Sequence, residues 1–408
     1  MMARILTPEE FGAFFLIFSW VSFGALACQL GMKQTIVRLF AESKAQNQFD
    51  NIRNGLKLAF IICLSGIFLA TTAYLFGIGK WLFGSFLNNH FVTTFVWWSI
   101  PLWIGILTFR TIVVESFRGL NDLRDASLFD TFLPNILVAL VLYLIFLLRI
   151  HLNLSEIISI TLFFATASCV FAAYNLIKKV NSLPKNKITR KPFNIFSVAR
   201  SMYIIDLSVF ALNNANLWIL GWFLTADQVA IFGAAARLVN LVAMPLLIIN
   251  LVVPPIIAEM NIKGDKEKLQ NVLQKSAFFS GIPALFLLVL YIFQSPYILR
   301  FIYGDFYIQG TSVLIILSIG SMANVWSGSC GKVLIMTGHH DKMLFIMLAS
   351  GTINIIGAIV MVNNFGIVGV AVSASFAKIF QNIVTLIVAK RSCGIWTHIP
   401  FRVPFLSA

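Results

Sequence analysis

Long apolar runs alternate with short polar connections from one end of this chain to the other. Eleven runs reach the length that a helix rising about 1.5 Å per residue needs to cross a hydrocarbon core about 30 Å thick. They are 11–31, 56–78, 91–117, 127–149, 155–177, 199–223, 228–257, 275–294, 310–336, 342–362 and 365–389. Each is expected to be helical, because an open sheet in lipid would leave backbone N–H and C=O groups unpaired. The pattern therefore predicts an all-α polytopic membrane protein with about 11 transmembrane helices.

Composition agrees. Of 408 residues, 59% are hydrophobic and 11% charged, with a mean hydropathy of +0.88, more apolar surface than a soluble fold hides. The formal net charge of +14 falls in short clusters between the runs rather than on one polar face, which argues against nucleic acid as a partner. Taking alternate connections as one side, twenty Lys and Arg lie together, and only Arg4, Lys80, Arg149 and Arg300 lie opposite. The positive-inside rule then makes the C-terminus cytoplasmic and turns Leu6–Glu10 outward. No signal peptide is visible at the start. The five cysteines are scattered without CxxC or Cys/His spacing, so neither a disulfide framework nor a metal site is read. His339-His340 is taken as part of a cytoplasmic turn, and no cofactor is called for.

The connection KKVNSLPKNKITRKPFN, residues 178–194, holds six Lys/Arg and two prolines. It divides the chain into an N-terminal bundle of five spans (1–177), a basic linker (178–194), a C-terminal bundle of six spans (195–392) and a tail (393–408). The linker reads as a solvated loop, with contact to anionic lipid as the alternative. LTPEEFGAFF at Leu6–Phe15 is echoed 218 positions later by LTADQVAIFG at Leu224–Gly233, and with a one-residue slip Ala41-Glu42 aligns with Ala258-Glu259. In the second copy a span runs out, turns at LTADQ and re-enters; the first copy has only the re-entry. The two halves thus read as repeats, as in many secondary transporters, with the first half lacking its opening helix.

The stretches LTPEEFGAFFLIFSWVSFGALACQLGMKQTIVRLFAE and NNANLWILGWFLTADQVAIFGAAARLVNLV resemble helix pairs of the polysaccharide flippases, the O-antigen type exporters of the MOP superfamily. The likeness extends over most of the chain in span layout and is specific around the two turns. It implies 12 helices in an intact member, arranged as two six-helix bundles around a V-shaped central cavity. It also implies transport of an undecaprenyl-diphosphate-linked oligosaccharide from the cytoplasmic to the periplasmic leaflet of a bacterial inner membrane, feeding surface polysaccharide assembly and its polymerase machinery.

Ionisable residues deep in spans are costly and tend to face a cavity or a partner. Arg110, Arg237 and Lys378 are candidates to line one cavity, where fixed cations replace part of the hydration of a diphosphate; each has the alternative of a structural ion pair. Arg38, at the cytoplasmic end of the first span, is placed to meet an incoming phosphate or is a solvated helix-end charge. Asp206 shares its span with Asn213, Asn214 and Asn216, a polar run suited to sugar hydroxyls, a coupling H⁺ or Na⁺, or helix–helix hydrogen bonds. Asp130, followed by Pro134-Asn135, is a weaker candidate. Prolines 101, 134, 245, 254, 255 and 283 suit helices that bend, and Trp81, Trp97, Trp98, Trp218 and Trp222 read as interfacial anchors. No phosphate-binding glycine loop or catalytic constellation stands out, and the outward connections hold few acid/base groups, so an enzyme such as a polysaccharide polymerase or ligase is disfavoured. A cation-coupled multidrug exporter of the same superfamily is the nearer alternative.

Overall fold

The computed structural model describes residues 2–45, 48–79, 94–148, 150, 152–184, 195–263 and 265–399. The outward connection from residue 80, with Trp81, the linker beyond Pro184 and the tail beyond Ile399 lie outside the described residues, as do the side chains of 41–42 and 258–259. Among the described residues the chain is helical throughout and divides into two compact units, Met1–Ala215 and Asn216–Ala408. Nine helices are long and apolar enough to span a membrane. Adding α9 and counting both arms of α14 below gives eleven passes, in line with the hydropathy pattern.

The first unit opens with α1 (Met2–Ile5) and α2 (Pro8–Cys28). Thr7 caps α2 reciprocally: its Oγ1 accepts the Glu10 amide at 3.3 Å while Glu10 Oε2 accepts the Thr7 amide at 3.1 Å. Pro8 sits at the first helical position, where its missing N–H costs nothing. The helix stops where Leu30 and Gly31 adopt φ of 47° and 79°. The first apolar run is therefore two helices, and Arg38 stands not at the end of a single span but on a second helix, α3 (Met32–Ala45). Next come α4 (Phe49–Ala73), α5 (Thr94–Gly119), α6 (Leu123–Ser127), α7 (Leu133–Leu147) and α8 (Leu154–Asn181). Helix α5 is central, packed by α2, α3, α4 and α8. Met32, Ile36, Phe40, Ile52, Ile112, Phe117, Phe129 and Leu176 bury together at one end of this unit, each worth roughly 1.5–3 kcal/mol against exposure to water. Between α6 and α7 lies a π turn, Leu128–Phe132. Pro134 explains it: the residue has no amide to return to the carbonyl four positions back, so the ladder widens and Leu133 N–H reaches Leu128 O instead.

Helix α9 (Ile195–Phe223) belongs to the first unit up to Ala215 and to the second from Asn216. The second unit continues with α10 (Ala226–Lys263), α11 (Lys266–Ile302), a 3₁₀ turn (Asp305–Gly310), α12 (Thr311–Ser327), α13 (Cys330–Met336) and α14 (His340–Cys393). Helix α10 begins 218 positions after α2 and ends 218 positions after α3. The repeat read from the two turns thus extends to the far ends of both copies, one broken and the other continuous. Helix α14 is a hairpin. Gly366, at φ 55° and ψ −138°, takes a conformation closed to side chains with a Cβ, and beyond it the chain runs back along itself. Ser373 Oγ meets Asn354 O at 2.9 Å, and Lys342 Nζ meets Ser392 Oγ at 2.9 Å. These pairs are spaced evenly about the turn.

After α14 the chain folds back into the second unit as an extended strap, 394–399. It passes the break between α12 and α13, where three residues leave helical pairing. Thr397 Oγ1 donates to Ser327 O at 2.6 Å and the Ile399 amide to Trp326 O at 3.0 Å, so the strap pairs carbonyls at the broken end. Gln270 Oε1 accepts the Trp396 amide at 2.9 Å, and the His398 ring stacks on Trp326 at 5.3 Å. Ile395 and Thr397 are fully buried by these contacts.

Candidate functional site

In the first unit the ionisable side chains form a connected network. Arg118, in the last turn of α5, donates from Nη1 to Glu115 Oε1 and from Nη2 to Asp130 Oδ2, both at 2.7 Å. The i,i+3 spacing brings Glu115 to it along the helix, and the π turn carries Asp130 back from twelve positions on. Arg110 lies within electrostatic reach of Asp130, which gives it an anionic neighbour. Lys33, in the first turn of α3 just past the Leu30–Gly31 break, reaches two acids, Glu115 and Asp206. Asp206 Oδ2 is buried and has no hydrogen-bond partner. Phe210, one turn further along α9, stacks 6.0 Å from Phe23 of α2, which fixes this face of α9 against the α2–α3 corner.

At the edge of the network Lys179 bonds to Asp122 in the turn after α5. The Lys179 ammonium, opposed by partial burial and helped by the Asp125 amide, holds the Asp122 carboxyl below the usual carboxylate range. Lys44 Nζ donates to Leu120 O at 2.7 Å in the same turn.

The asparagines of α9 divide their roles. Asn213 is exposed, Asn214 Nδ2 donates to its own helix at Phe210 O, 2.9 Å, and Asn216 Oδ1 accepts from Asn354 Nδ2 at 3.1 Å. Asn354 Oδ1 is buried without a partner. Asn354 and Lys378 each stand twelve residues from Gly366, one on either arm of α14, and so at like depth. Among the described residues no acid and no hydrogen-bond acceptor engages Lys378 Nζ.

Arg237 lies about three turns into α10. It is exposed, as are Asn240, Leu241, Met244, Ile248 and Leu251. Their three- and four-residue spacing makes one stripe that the second unit itself leaves uncovered. Tyr303, at the end of α11, is within electrostatic reach of Arg237, and Tyr291 Oη donates to the carbonyl of Leu238, the next residue along, at 3.0 Å. Arg38 is exposed on α3.

Lys33 and Tyr303 were not among the residues expected from sequence. Lys33 read there only as a topology charge and Tyr303 as part of a connection. Among the described residues no group of three or more His, Cys, Asp or Glu is placed to hold a metal.

Apolar helices in two units, with repeated re-entrant turns and ionisable side chains at span depth, define a multi-pass integral membrane transporter of the MOP superfamily. The chain belongs to the polysaccharide biosynthesis protein family, whose model matches residues 1–261. A second model, MatE, matches residues 203–360. An uncharacterized membrane protein of Methanocaldococcus jannaschii, MJ1068, is 23% identical over 398 residues, covering 92% of this chain and 77% of the relative. Among solved structures, the inward-facing conformation of a multidrug resistance MATE family transporter of the MOP superfamily superposes with a TM-score of 0.74 at 18% identity, covering 95% of this chain and 91% of that one. The lipid II flippase MurJ, in an inward closed conformation, superposes with a TM-score of 0.67 at 16% identity over 94% of this chain and 81% of that one. A MOP superfamily transporter from Pyrococcus furiosus gives 0.61 at 17% identity, over 95% and 89%. At these identities the likeness is one of fold.

Proposed function

We propose that the chain is a flippase that moves an undecaprenyl-diphosphate-linked oligosaccharide from the cytoplasmic to the periplasmic leaflet of a bacterial inner membrane by alternating access, for surface polysaccharide assembly, with its C-terminus cytoplasmic. The observation that supports this most is Lys378, an ammonium at span depth with no acid engaging it among the described residues. A charge in that position is tolerated where it meets water or an anionic ligand. Arg237 adds to the reading. It shares an uncovered stripe with Asn240, and a guanidinium beside an amide is costly against lipid tails but suited to a hydrated path. The two cations act differently on a diphosphate: Arg237 offers a planar fork for bidentate hydrogen bonding, Lys378 a compact point charge. No covalent step is needed, because transfer requires only that fixed cations replace part of the phosphate hydration as the headgroup crosses.

A cation-coupled multidrug exporter is the second reading, favoured by the MatE match and by the unpartnered carboxylate oxygen of Asp206, which would receive a cationic drug or a coupling ion. Cells deleted for the gene separate the two. The flippase reading expects undecaprenyl-linked repeat units to accumulate and surface polymer to be lost, with rescue by the native chain and none by Lys378→Ala or Arg237→Ala at normal abundance. Normal surface polysaccharide in both variants, or an unchanged lipid pool with altered drug tolerance, would overturn it.

A further inference from the structure

The second unit holds a cluster of tyrosines that the phosphate reading leaves unused. Helix α11 ends at Ile302, and the chain turns sharply through Gly304, at φ 115°. The turn is closed by the Tyr303 amide on Leu299 O at 2.8 Å, the Tyr307 amide on Gly304 O at 3.2 Å, and an Arg300–Asp305 ion pair at 2.6 Å. It brings the Tyr303 and Tyr307 rings together, centroids 5.5 Å apart at 45°. Tyr307 is fully buried, its ring also meeting Phe306 edge-on at 5.5 Å. Tyr303 is only partly buried. One tyrosine thus anchors the turn, and the other rests on it with part of its ring open.

Arg237 connects this cluster to the uncovered stripe of α10. Helix α10 starts at the Leu224–Thr225 turn, and side chains on a helix tilt toward its start. The long Arg237 side chain therefore leans toward the end of the unit where α11 finishes and Tyr303 sits. Tyr291, lower on α11, fixes the register by bonding the carbonyl of Leu238. An open aromatic face supported from behind, beside a guanidinium on a polar stripe, offers two kinds of contact at once. The ring presents an apolar surface to the C–H face of a sugar, and the guanidinium takes a phosphate oxygen.

We propose that Tyr303 and Arg237 form a glycosyl-phosphate subsite of the second unit, in which the Tyr303 ring, held by Tyr307 and the Gly304 turn, packs against the first sugar of the ligand while Arg237 binds its phosphate. This rests on the lipid-linked sugar reading and adds to it the residue that senses the sugar.

The test compares two ligands on the purified full chain in lipid nanodiscs: undecaprenyl diphosphate, and undecaprenyl diphosphate carrying one hexose. Tyr303→Leu keeps apolar bulk at the turn but removes the ring face, and Tyr303→Phe keeps the ring. The subsite predicts that Tyr303→Leu weakens binding of the glycosylated lipid by about three- to tenfold and leaves the bare diphosphate unchanged. Tyr303→Phe should preserve the preference, and Arg237→Ala should weaken both ligands. Equal losses for both ligands in Tyr303→Leu, or none for either, would overturn the sugar contact. Unchanged binding of the bare diphosphate by Arg237→Ala would overturn the phosphate reading itself, whatever Tyr303 does. If Tyr303→Leu fails to fold, Tyr303→Phe decides, since loss of the glycosyl preference with the ring retained would refute ring packing.

Discussion

Replacing Arg118 with glutamine removes the only side chain that bonds Glu115 and Asp130 together, and the three positions allow the cost to be apportioned. The Glu115 side chain is 8% exposed, whereas Arg118 and Asp130 are 38% and 36% exposed. Stripping the partner from a fully buried pair costs about 3–5 kcal/mol, because an uncompensated charge is left in a poor solvent. Exposed pairs are screened and contribute about 0–1 kcal/mol. Arg118 lies between these limits, and Lys33 stays within reach of Glu115, so Arg118→Gln should destabilise by about 1–3 kcal/mol. Glu115→Gln should cost less, about 0–1 kcal/mol, because a neutral amide needs no counter-ion and Arg118 keeps Asp130. The double variant should sit close to Glu115→Gln, which gives a coupling of about 1–2 kcal/mol. Thermal unfolding of the detergent-solubilised protein, followed by tryptophan fluorescence, measures all three. If Arg118→Gln proves no more costly than Glu115→Gln, the network does not hold Glu115 as a charge, and the reasoning fails.

Three further outcomes are expected. Asp122 has a folded pKa below its unfolded value near 3.9, so its contribution is present above that value and lost as pH falls through the folded one. Asp122→Asn should thus be less stable than the native chain at pH 7, with the two melting curves converging on acidification; a gap that persists in strong acid would contradict this. Thr397→Val should destabilise the second unit by about 1 kcal/mol, the net worth of a neutral hydrogen bond. Gly328→Ala should do more, since its Cβ would stand 2.5 Å from Thr397 O. Faster proteolysis after Cys393 in both variants would report release of the strap, and native-like cleavage in Gly328→Ala would argue against docking. Lys378→Arg should retain more translocation than Lys378→Gln if charge is what the position supplies, read from the surface polymer in the rescue assay.

The passes were legible because twenty apolar residues in a row admit few structures. The departures from straight spans were not. Leu30 in a left-handed conformation breaks the first run without any sequence sign, since leucine ordinarily continues a helix. The Ser327–Ser329 break likewise depends on a strap whose donors lie seventy positions away. Asp130 was read with Pro134 beside it, yet its link to Arg118 required the π turn that the proline creates. Lys33 was visible only as a positive charge near a span end, because its neighbours Glu115 and Asp206 come from distant helices. The Leu-Thr repeat succeeded for a physical reason: a reciprocal cap at Thr7 is a local device written in adjacent residues, and such devices survive when side chains around them drift.

The strap also constrains how the protein is made. Ser327 and Trp326 enter the bilayer with carbonyls that no helix will satisfy, and the groups that pair them lie about seventy residues downstream. At roughly 5–20 residues per second of synthesis, those carbonyls wait about 4–14 s for Thr397 and Ile399 to follow. During that interval the second unit is an open intermediate, while every element of the first unit up to α8 has already left the ribosome. Slow translation or early termination past α13 should therefore produce chains that insert but are cleared by membrane quality control, with the damage falling on one half alone.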